Sequence, residues 1–321
     1  MKKKYLIIGN KRNYTIDLFK QEDVDIDFSY YNINIFFKII RRIWFLLCKK
    51  HPEIWYSFKK KFLRKYDVII LFECTYPLEI IEYIRKRNTK CKLIYWLWNS
   101  VDKMGKSFMY DGYTEFCKIL KLRKEKNFEV WSFDKKDCKY YGLKYNNQVA
   151  MNLNLEETSI KRDIFFCGMD KGRIVLLMKL SDIFKENNIS YEFLILANKG
   201  KKYNYNEKKY IIYEPLEYKK VIEKELESKC ILDIVQEGQG GITWRPLEAM
   251  FYKKKLVTNY KNIKEYDFYN KNNIFIIGID DMKNIKDFLE RPYENISKEI
   301  INKYLAKGWL DNFMKDCDDK L

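Results

Sequence analysis

The chain has 321 residues, of which 47% are hydrophobic and 17% aromatic. This length predicts two domains, each with its own core, and the apolar content excludes a disordered protein. A content of only 12 glycines and 5 prolines excludes the fibrous and low-complexity classes. The formal net charge of +17 indicates an anionic partner, namely a nucleotide, a phospholipid surface or a nucleic acid. A lysine-rich surface without a specific partner is the alternative.

Short apolar strands alternate with amphipathic helices along the first half of the chain. The predicted strands are 5–8, 24–29, 68–73, 92–98 and 128–133. The helices predicted between them are 33–48, 53–65, 77–87, 112–125 and 135–141. Such alternation is typical of parallel sheets built from strand–helix–strand units.

The second half repeats this alternation. Its predicted strands are 163–167, 191–196, 210–213, 230–235, 255–258 and 273–277. Its predicted helices lie near 172–187, 217–228, 244–253 and 282–290. We therefore expect an α/β protein with two Rossmann-like, doubly wound domains facing a cleft. The expected limits are 1–155 for the first domain and 160–295 for the second, followed by C-terminal helices over 296–321 that are candidates for packing back on the first domain.

Cysteine and histidine usage limits the chemistry of the chain. The eight cysteines include no C-x-x-C pair, and His51 is the single histidine. We expect free thiols in a reducing compartment, and neither a disulfide framework nor a His-rich metal site. The first apolar run is too short for a signal peptide, and no run approaches the roughly 18 residues that span a bilayer. These features predict a cytoplasmic protein.

The most informative loop follows the strand 230–235, and open α/β sheets bind ligands beyond strand ends. Its glycines let the backbone approach a ligand, and free N–H groups at the following helix suit an anion. Thr243 is the expected N-cap, Arg245 adds a fixed positive charge, and Glu248 lies one turn along, where a carboxylate can accept from two vicinal hydroxyls. The candidate ligand-binding residues are Gln239, Gly240, Gly241, Thr243, Arg245 and Glu248. A glycine-rich turn before an ordinary core helix is the alternative.

A second loop follows the strand 163–167 and opens a long predicted helix. It contains Gly168, Lys171, Gly172 and Arg173. Backbone N–H groups at the helix start, together with the two cations, suit a diphosphate. The loop matches neither the dinucleotide fingerprint nor the P-loop. A solvated turn with surface cations is the alternative.

These loops resemble the nucleotide-sugar domain of GT-B glycosyltransferases, particularly those of bacterial capsule and lipopolysaccharide assembly. The resembling segments are 168–173, 233–250 and 254–259, and 131–134 with 141–143 are similar to the end of the N-terminal domain in those enzymes. The resemblance implies sugar transfer from a nucleotide-diphosphate donor, with Glu248 on the donor ribose and Lys171 and Arg173 on the diphosphate. Many retaining members carry a further Glu where this chain has Gly240. Nearby Gln239 and Glu237 are candidate substitutes.

An inverting reaction needs a general base, which we expect from the first domain. Glu73, Asp102 and Asp134 follow predicted strands, and we favour Glu73 or Asp102. Each of them is otherwise a helix cap or the partner of a lysine. Cations and glycine-rich N–H groups can stabilise a leaving diphosphate without a metal. We therefore expect no metal site, and no cofactor other than the nucleotide sugar as co-substrate.

Residues 36–65 hold ten lysines and arginines and one acid, Glu53, interleaved with apolar side chains. Basic amphipathic helices with Trp and Phe bind anionic lipid headgroups, so we expect this segment to contact a membrane surface. Core-packed helices with a solvated basic face are the alternative. A nucleic-acid partner is not expected, because no nucleic-acid-binding motif accompanies the segment.

Together these features predict a metal-independent glycosyltransferase, peripheral at the cytoplasmic membrane face, that acts on a glycan or lipid-linked acceptor in surface polysaccharide or glycoconjugate synthesis. A non-catalytic nucleotide-sugar-binding or scaffolding protein on the same fold is the alternative, because Gly240 replaces a glutamate. A dinucleotide-dependent oxidoreductase is disfavoured, since the turn after Gly9 lacks the remaining glycines of the fingerprint.

Overall fold

The structure is a computed structural model that describes residues 3–10, 14–48, 50–72, 74–105, 111–156, 158–236 and 240–315. The chain forms two units, one made of 1–147 together with 309–321 and the other of 148–308. The first boundary lies between Asn147 and Gln148, and 296–308 belong to the second unit. None of the helices in the described ranges combines the length and the apolar character that crossing a membrane requires.

The first unit is built on a sheet of six parallel strands. They are β1 (Tyr5–Gly9), β2 (Val24–Phe28), β3 (Val68–Phe72), β4 (Lys92–Leu97), β5 (Glu129–Ser132) and β6 (Lys144–Tyr145). Their order is β2-β1-β3-β4-β5-β6, so strand addition reverses direction between β1 and β3. All five residues of β3 are buried, as expected for a parallel strand covered on both faces.

In the described part of 1–147, four helices accompany this sheet. They are α1 (Ile35–Cys48), α2 (Pro77–Arg87), α3 (Gly112–Leu122) and α4 (Lys135–Tyr141). Helix α2 begins at Pro77, where the missing N–H would have had no helical partner, and it buries Ile80, Ile81 and Ile84 on one face. Helix α4 begins after Asp134, whose carboxylate accepts hydrogen bonds from the backbone N–H groups of Lys136 and Asp137.

The helix predicted over 53–65 is wrong. The segment instead forms three short 3-10 turns at 53–55, 57–60 and 63–65. Tyr56 and Phe58 are both buried, and their rings stack 5.3 Å apart. Residues two positions apart point in different directions on an α-helix. An α-helix would therefore expose one of these two rings, and burial of both favours the turns.

The second unit has its own sheet of six parallel strands. They are β7 (Arg162–Met169), β8 (Tyr191–Leu196), β9 (Ile211–Ile212), β10 (Ser228–Asp233), β11 (Lys255–Thr258) and β12 (Ile274–Ile276). Their order is β12-β11-β10-β7-β8-β9. Taken from the β9 edge, this is the 3-2-1-4-5-6 order of the dinucleotide-binding fold, and its switch point lies between β7 and β10.

The helices of the second unit cover both faces of its sheet. They are α5 (Ile174–Glu186), α6 (Tyr205–Lys208), α7 (Tyr218–Leu226), α8 (Arg245–Phe251), α9 (Ile285–Glu290) and α10 (Lys298–Tyr304). Helix α5 buries Leu177, Leu180 and Phe184, whose spacing of three and four residues forms one apolar stripe. The predicted α/β class, with two doubly wound sheets and a C-terminal helical segment, is confirmed.

The C-terminal segment contains two helices. After α10, Leu305 adopts extended backbone, and α11 (Ala306–Asn312) crosses the boundary at 308–309. Trp309 is fully buried in the core of the first unit, with its ring 5.1 Å from that of Trp96 and 5.7 Å from that of Phe72. The Trp309 carbonyl also accepts a hydrogen bond of 3.0 Å from the Asn146 amide.

Candidate functional site

Two arginines meet at the switch point of the second sheet. Arg173 Nη1 donates to the carbonyl of Met169 at 2.9 Å, and Arg245 Nη2 donates to the carbonyl of Cys167 at 3.1 Å. Both guanidinium groups are therefore held by the carboxyl end of β7. Burial lowers the pKa of Arg173, Asp233 opposes this shift, and the charge of Arg245 adds to it. Two guanidinium groups at one strand end present several N–H donors, and guanidinium groups suit the oxygens of a phosphate.

The guanidinium group of Arg173 has fewer protein partners among the described residues than that of Arg245. Its Nε is shielded from solvent and has no hydrogen-bond partner among the residues that the structure describes. Arg245 is also bound through Nη1 to Glu248, at 2.6 Å, and its Nε lies 3.4 Å from Glu225. Leaving a buried donor unsatisfied costs free energy, so the described protein groups satisfy Arg173 less fully than Arg245.

Glu248 is fully buried in the structure. Its Oε2 accepts from Arg245, and its Oε1 accepts from the Tyr218 hydroxyl at 2.8 Å. The resemblance placed this carboxylate on the donor ribose. Here both carboxylate oxygens already accept hydrogen bonds from protein donors, and solvent does not reach them. Ribose binding by Glu248 therefore stays a prediction.

Glu225 completes this cluster, and the sequence analysis did not single it out. It lies on α7 between the buried Ile222 and Leu226 and is itself fully buried. Burial, and next the charge of Glu248, raise its pKa well above the ordinary value for a glutamate. The signal in the sequence was an acid on the apolar face of a predicted helix.

Thr243 links the end of β10 to the start of α8. Its hydroxyl donates to Asp233 at 3.0 Å and accepts from the backbone N–H of Arg245 at 3.2 Å. The helix begins at Arg245 with Trp244 as its N-cap residue, so the cap lies one residue later than predicted. Thr243 nevertheless satisfies one N–H group of the first turn. Burial raises the pKa of Asp233.

The glycine-rich loop is only partly within the described residues. Gln239, Glu237 and Gly238 lie outside them, so the structure does not address the predicted role of Gln239. Gly240 and Gly241 are buried, and the Gly240 carbonyl accepts a hydrogen bond from Tyr260 at 2.7 Å. That bond connects the loop to the segment after β11.

Three of the N–H groups at the turn before α5 already have acceptors within the protein. The N–H of Lys171 donates to the Asn198 side chain, that of Arg173 to the Asp170 carbonyl, and that of Ile174 to the Asp170 carboxylate. The buried carboxylate of Asp170 therefore occupies the helix start. The expectation of free N–H groups for a diphosphate is wrong for these three amides, because Asp170 and Asn198 supply their acceptors.

The side chains at this turn are placed differently from its amides. Lys171 is exposed and has a φ of +43°, next to Gly172 at +85°. A Cβ atom added to Gly168 would lie 3.6 Å from Arg173 Nη1 and 3.4 Å from the Phe166 ring, which is ordinary contact. Close packing therefore does not require glycine at 168. Lys201, which the sequence analysis missed, lies 2.5 Å from Asp170.

The candidate general bases of the first unit differ in their burial and in their contacts. Glu73 lies outside the described residues. Asp102 is exposed in a 3-10 turn, and its carboxylate is 3.5 Å from Lys103. Asp134 is buried as the helix cap of α4, the structural role weighed for it from the sequence. Asp137, which the sequence analysis did not name, has a pKa raised to about 6, chiefly by burial.

A cavity of about 280 Å³ opens at the carboxyl ends of β1, β3 and β4 in the first unit. This is the switch point of the first sheet, where ligands of such folds bind. Its lining is aromatic and amide-rich and includes Asn10, Thr75, Tyr95, Trp98 and Asn99.

Helix α1 turns its apolar face away from the unit. Arg41 lies 4.7 Å from the Tyr30 ring, and Phe45 stacks 4.5 Å from His51. These two residues, four apart, form the inward face, and no residue of α1 is fully buried. The opposite face carries exposed large side chains, at Phe36, Ile39, Ile40, Ile43 and Leu47, with Trp44 beside them. The core-packed alternative for α1 is therefore wrong, whereas the rest of the 36–65 segment does contribute buried core residues.

His51 is buried beside the carboxylate of Glu79. Its backbone N–H and its Nδ1 both lie near Glu79 Oε2, at 3.0 and 3.1 Å. Among the residues that the structure describes, no three His, Cys, Asp or Glu side chains are grouped so that they could hold a metal ion.

No protein-family model matches the chain, and no curated protein matches it significantly. Among solved structures, the DNA-modifying enzyme β-glucosyltransferase, determined with and without its substrate uridine diphosphoglucose, is similar over 97% of this chain and 98% of its own. That similarity has a TM-score of 0.53 at 16% identity. The glycotransferase of kitacinnamycin has a TM-score of 0.45 at 6% identity over 96% of both chains. An α1,3-fucosyltransferase has a TM-score of 0.39 at 10% identity over 99% of this chain and 84% of its own.

The first of these likenesses, at 16% identity, concerns the fold alone. The chain therefore has the fold of a GT-B glycosyltransferase, which confirms the fold that the sequence resemblance implied.

Proposed function

We propose that this protein is a glycosyltransferase that transfers a sugar from a nucleotide-diphosphate donor to a glycan or lipid-linked acceptor. The observation that carries the proposal is the pair Arg173 and Arg245 at the switch point of the second sheet, where none of the described residues accepts a hydrogen bond from the Nε of Arg173. Guanidinium groups bind phosphate oxygens in a bidentate manner, and a diphosphate is the leaving group of such a donor. The GT-B fold supports the same function.

The chemistry follows from where charge develops. Breaking the bond between the anomeric carbon and the diphosphate oxygen leaves negative charge on the diphosphate. Fixed cations that are already in place stabilise this charge without reorganisation. We propose that Arg173 and Arg245, with the exposed Lys171, supply that stabilisation, so that the reaction is metal-independent.

The acceptor hydroxyl must lose a proton as the new bond forms. In an inverting reaction a carboxylate of the first unit takes it, and we retain Glu73 and Asp102 as the candidates. Asp102 is exposed, and among the described residues its carboxylate forms an ion pair with Lys103 at 3.5 Å.

Donor binding is tested by thermal unfolding of the purified protein with UDP-, GDP- and dTDP-sugars, which all carry a diphosphate. A donor at 100 times its dissociation constant is expected to add about 2.7 kcal/mol of stability. The bare nucleoside at the same concentration is the matched control, because it lacks the diphosphate. Stabilisation by no member of the panel would remove the donor-binding proposal.

A non-catalytic nucleotide-sugar-binding protein is the second candidate. Gly240 favours it, because many retaining members of the resembling family carry a glutamate there. The two candidates differ in donor breakdown, which is measured as release of nucleoside diphosphate over time. A bound donor that stays intact favours the binding protein.

We further propose that α1 attaches the protein to the cytoplasmic face of a membrane, where surface polysaccharide or glycoconjugate precursors are assembled. Leu47 is 78% exposed and Phe36 62% exposed, and both lie on the face opposite the anchoring residues Arg41 and Phe45. Arg42 follows Arg41 on the side of the same helix and is exposed, as is Lys38. An apolar face flanked by cations fits an anionic lipid surface.

Vesicle co-sedimentation at low salt tests this attachment. Vesicles with anionic lipid are expected to bind the wild type, and Ile43→Glu with Leu47→Glu is expected to abolish binding. The matched control is Val175→Glu on α5, which changes an equally exposed apolar residue in the second unit. Lack of sedimentation by the wild type would refute the membrane proposal. Concentration-dependent dimers that the α1 variants abolish would assign the face to a second copy of the chain.

A further inference from the structure

Glu225, Arg245 and Glu248 form one buried cluster between α7 and α8. Both carboxyl groups have no solvent exposure. The one guanidinium group lies 2.6 Å from Glu248 and 3.4 Å from Glu225. Two buried carboxylates beside a single cation would leave one negative charge uncompensated, which is costly in a low-dielectric interior.

A proton resolves this imbalance. Neither Glu225 oxygen accepts a hydrogen bond from a described group. A protonated Glu225 instead has a donor, and Glu248 can accept it, because each carboxylate oxygen has two lone pairs. The raised pKa of Glu225, caused by burial and next by Glu248, supports the same assignment.

The other titratable groups that face the cluster do not replace this proton. The pKa values of Cys167, Tyr218 and Tyr252 are all raised, chiefly by burial, so these three side chains are neutral near pH 7. Asp233 contributes a further acid, but its oxygens accept from Thr243 and Thr258. Glu225 is therefore the group that holds the shared proton.

We propose that Glu225 and Glu248 share one proton and act as positioning residues that hold the Arg245 guanidinium against the end of β7. On this account Glu248 serves Arg245 and does not bind the donor ribose. The ligand half of this inference rests on the proposed function, since it takes a nucleoside diphosphate as the anion at Arg173 and Arg245.

The two roles of Glu248 differ in what they predict for the sugar of the nucleotide. If Glu248 binds the ribose, replacing it weakens the binding only of nucleotides that carry the ribose hydroxyl groups. A positioning residue acts through Arg245, so its loss affects ribose and dideoxyribose nucleotides alike. Comparing the loss of affinity for the ribose form with that for the dideoxyribose form therefore separates the two roles, even where a variant binds both forms weakly.

Calorimetry with the full chain and with UDP, GDP and ADP, each as the ribose and the 2′,3′-dideoxyribose form, makes this comparison. Glu248→Gln is expected to weaken both forms of the bound nucleotide by about tenfold and by the same factor within about twofold. A loss confined to the ribose form would overturn the positioning role. Tyr218→Phe, which removes the hydroxyl held by Glu248 Oε1, is the second variant and is expected to weaken both forms equally.

Glu225 is tested by rescue with its neutral isostere. Glu225→Gln keeps a donor toward Glu248 and an acceptor toward Arg245, whereas Glu225→Ala keeps neither. Nucleotide affinity is expected to fall in the alanine variant and to be retained in the glutamine variant. Equal losses in the two variants would contradict a protonated Glu225.

An infrared measurement tests the shared proton without any ligand. The wild type is expected to show a protonated carboxyl band at neutral pH that Glu225→Gln removes, and identical spectra would overturn the inference. If no nucleoside diphosphate binds the wild type, the proposed function fails, and the infrared result still decides the state of Glu225. The two failures are therefore distinguishable.

Discussion

The Nη1 atom of Arg245 lies 2.6 Å from the Oε2 atom of Glu248, a carboxylate that solvent does not reach. The two residues are three positions apart on α8, a spacing that places side chains next to each other on a helix. The local sequence therefore dictates the pair, whereas its burial depends on α7. Removing one member of a buried ion pair leaves the other charge uncompensated. A substitution at either residue therefore also alters the electrostatic environment of the other.

Arg173→Ala is expected to weaken binding of a nucleoside diphosphate by about 10–150-fold, because it removes charge-assisted hydrogen bonds worth about 1.5–3 kcal/mol. Binding of the bare nucleoside is expected to stay unchanged. Calorimetry measures both affinities. Lys179→Ala, an exposed cation on the same helix, is the matched control. Equal losses for the two ligands would show that Arg173 does not contact the diphosphate.

Glu225→Gln is expected to make the protein less sensitive to rising pH. Burial raises the pKa of Glu225 in the folded state above its unfolded value, so the native protein binds more protons between those two values. The stability contributed by the protonated form is complete below the unfolded pKa and is lost as pH rises toward the folded pKa. The variant lacks this loss, which amounts to at most about 1.4 kcal/mol per pH unit.

Denaturant unfolding from pH 4 upward measures this difference between wild type and variant. Glu223→Gln, an exposed acid on the same helix, is the control and should show parallel curves. Parallel curves for Glu225→Gln as well would mean that Glu225 ionises in the folded protein as it does in the unfolded chain.

Trp309→Ala is expected to destabilise the first unit by roughly 3–5 kcal/mol, because it empties a fully buried indole site. The contacts at stake are the rings of Phe19, Phe72 and Trp96. Tyr140→Ala, at a site 81% exposed, should change stability by less than about 0.5 kcal/mol. If the two variants lost equal stability in a denaturation experiment, Trp309 of the C-terminal segment would not belong to this core.

Trp44→Ala is expected to change the free energy of unfolding by less than about 0.5 kcal/mol, because Trp44 lies on the exposed side of α1. Phe45→Ala, one residue further, removes the stacking on His51 and should cost at least about 1 kcal/mol. Denaturant unfolding of both variants compares them directly. A larger cost for Trp44 would show that this face of α1 is covered by the protein itself.

The sequence predicted the framework well because its signals are local. Apolar runs such as 68–72 mark buried parallel strands, and the observed limits of β3 differ from the predicted ones by a single residue. The two strand-end loops with their arginines were also identifiable, since glycines and cations follow strands there. The order of the strands emerged only in the structure.

The errors arise where distant residues decide the outcome. The helix predicted over 53–65 gave way to turns because the core takes both Tyr56 and Phe58. The amide of Lys171 is occupied because Asn198, 27 residues along the chain, accepts its hydrogen bond. Glu225 was missed because a helical glutamate ordinarily faces solvent, and only the position of α8 shows that it is buried against Arg245.

Release of nucleoside diphosphate from a bound nucleotide sugar tests the central claim most directly. The purified wild type is expected to break down the donor that stabilises it, with water or an added glycan as acceptor. Arg173→Ala is expected to slow this release by roughly a hundredfold, since it removes a charge that stabilises the leaving group, whereas Lys179→Ala should match the wild type. A donor that binds yet remains intact with the wild type would contradict the assignment of this protein as a glycosyltransferase.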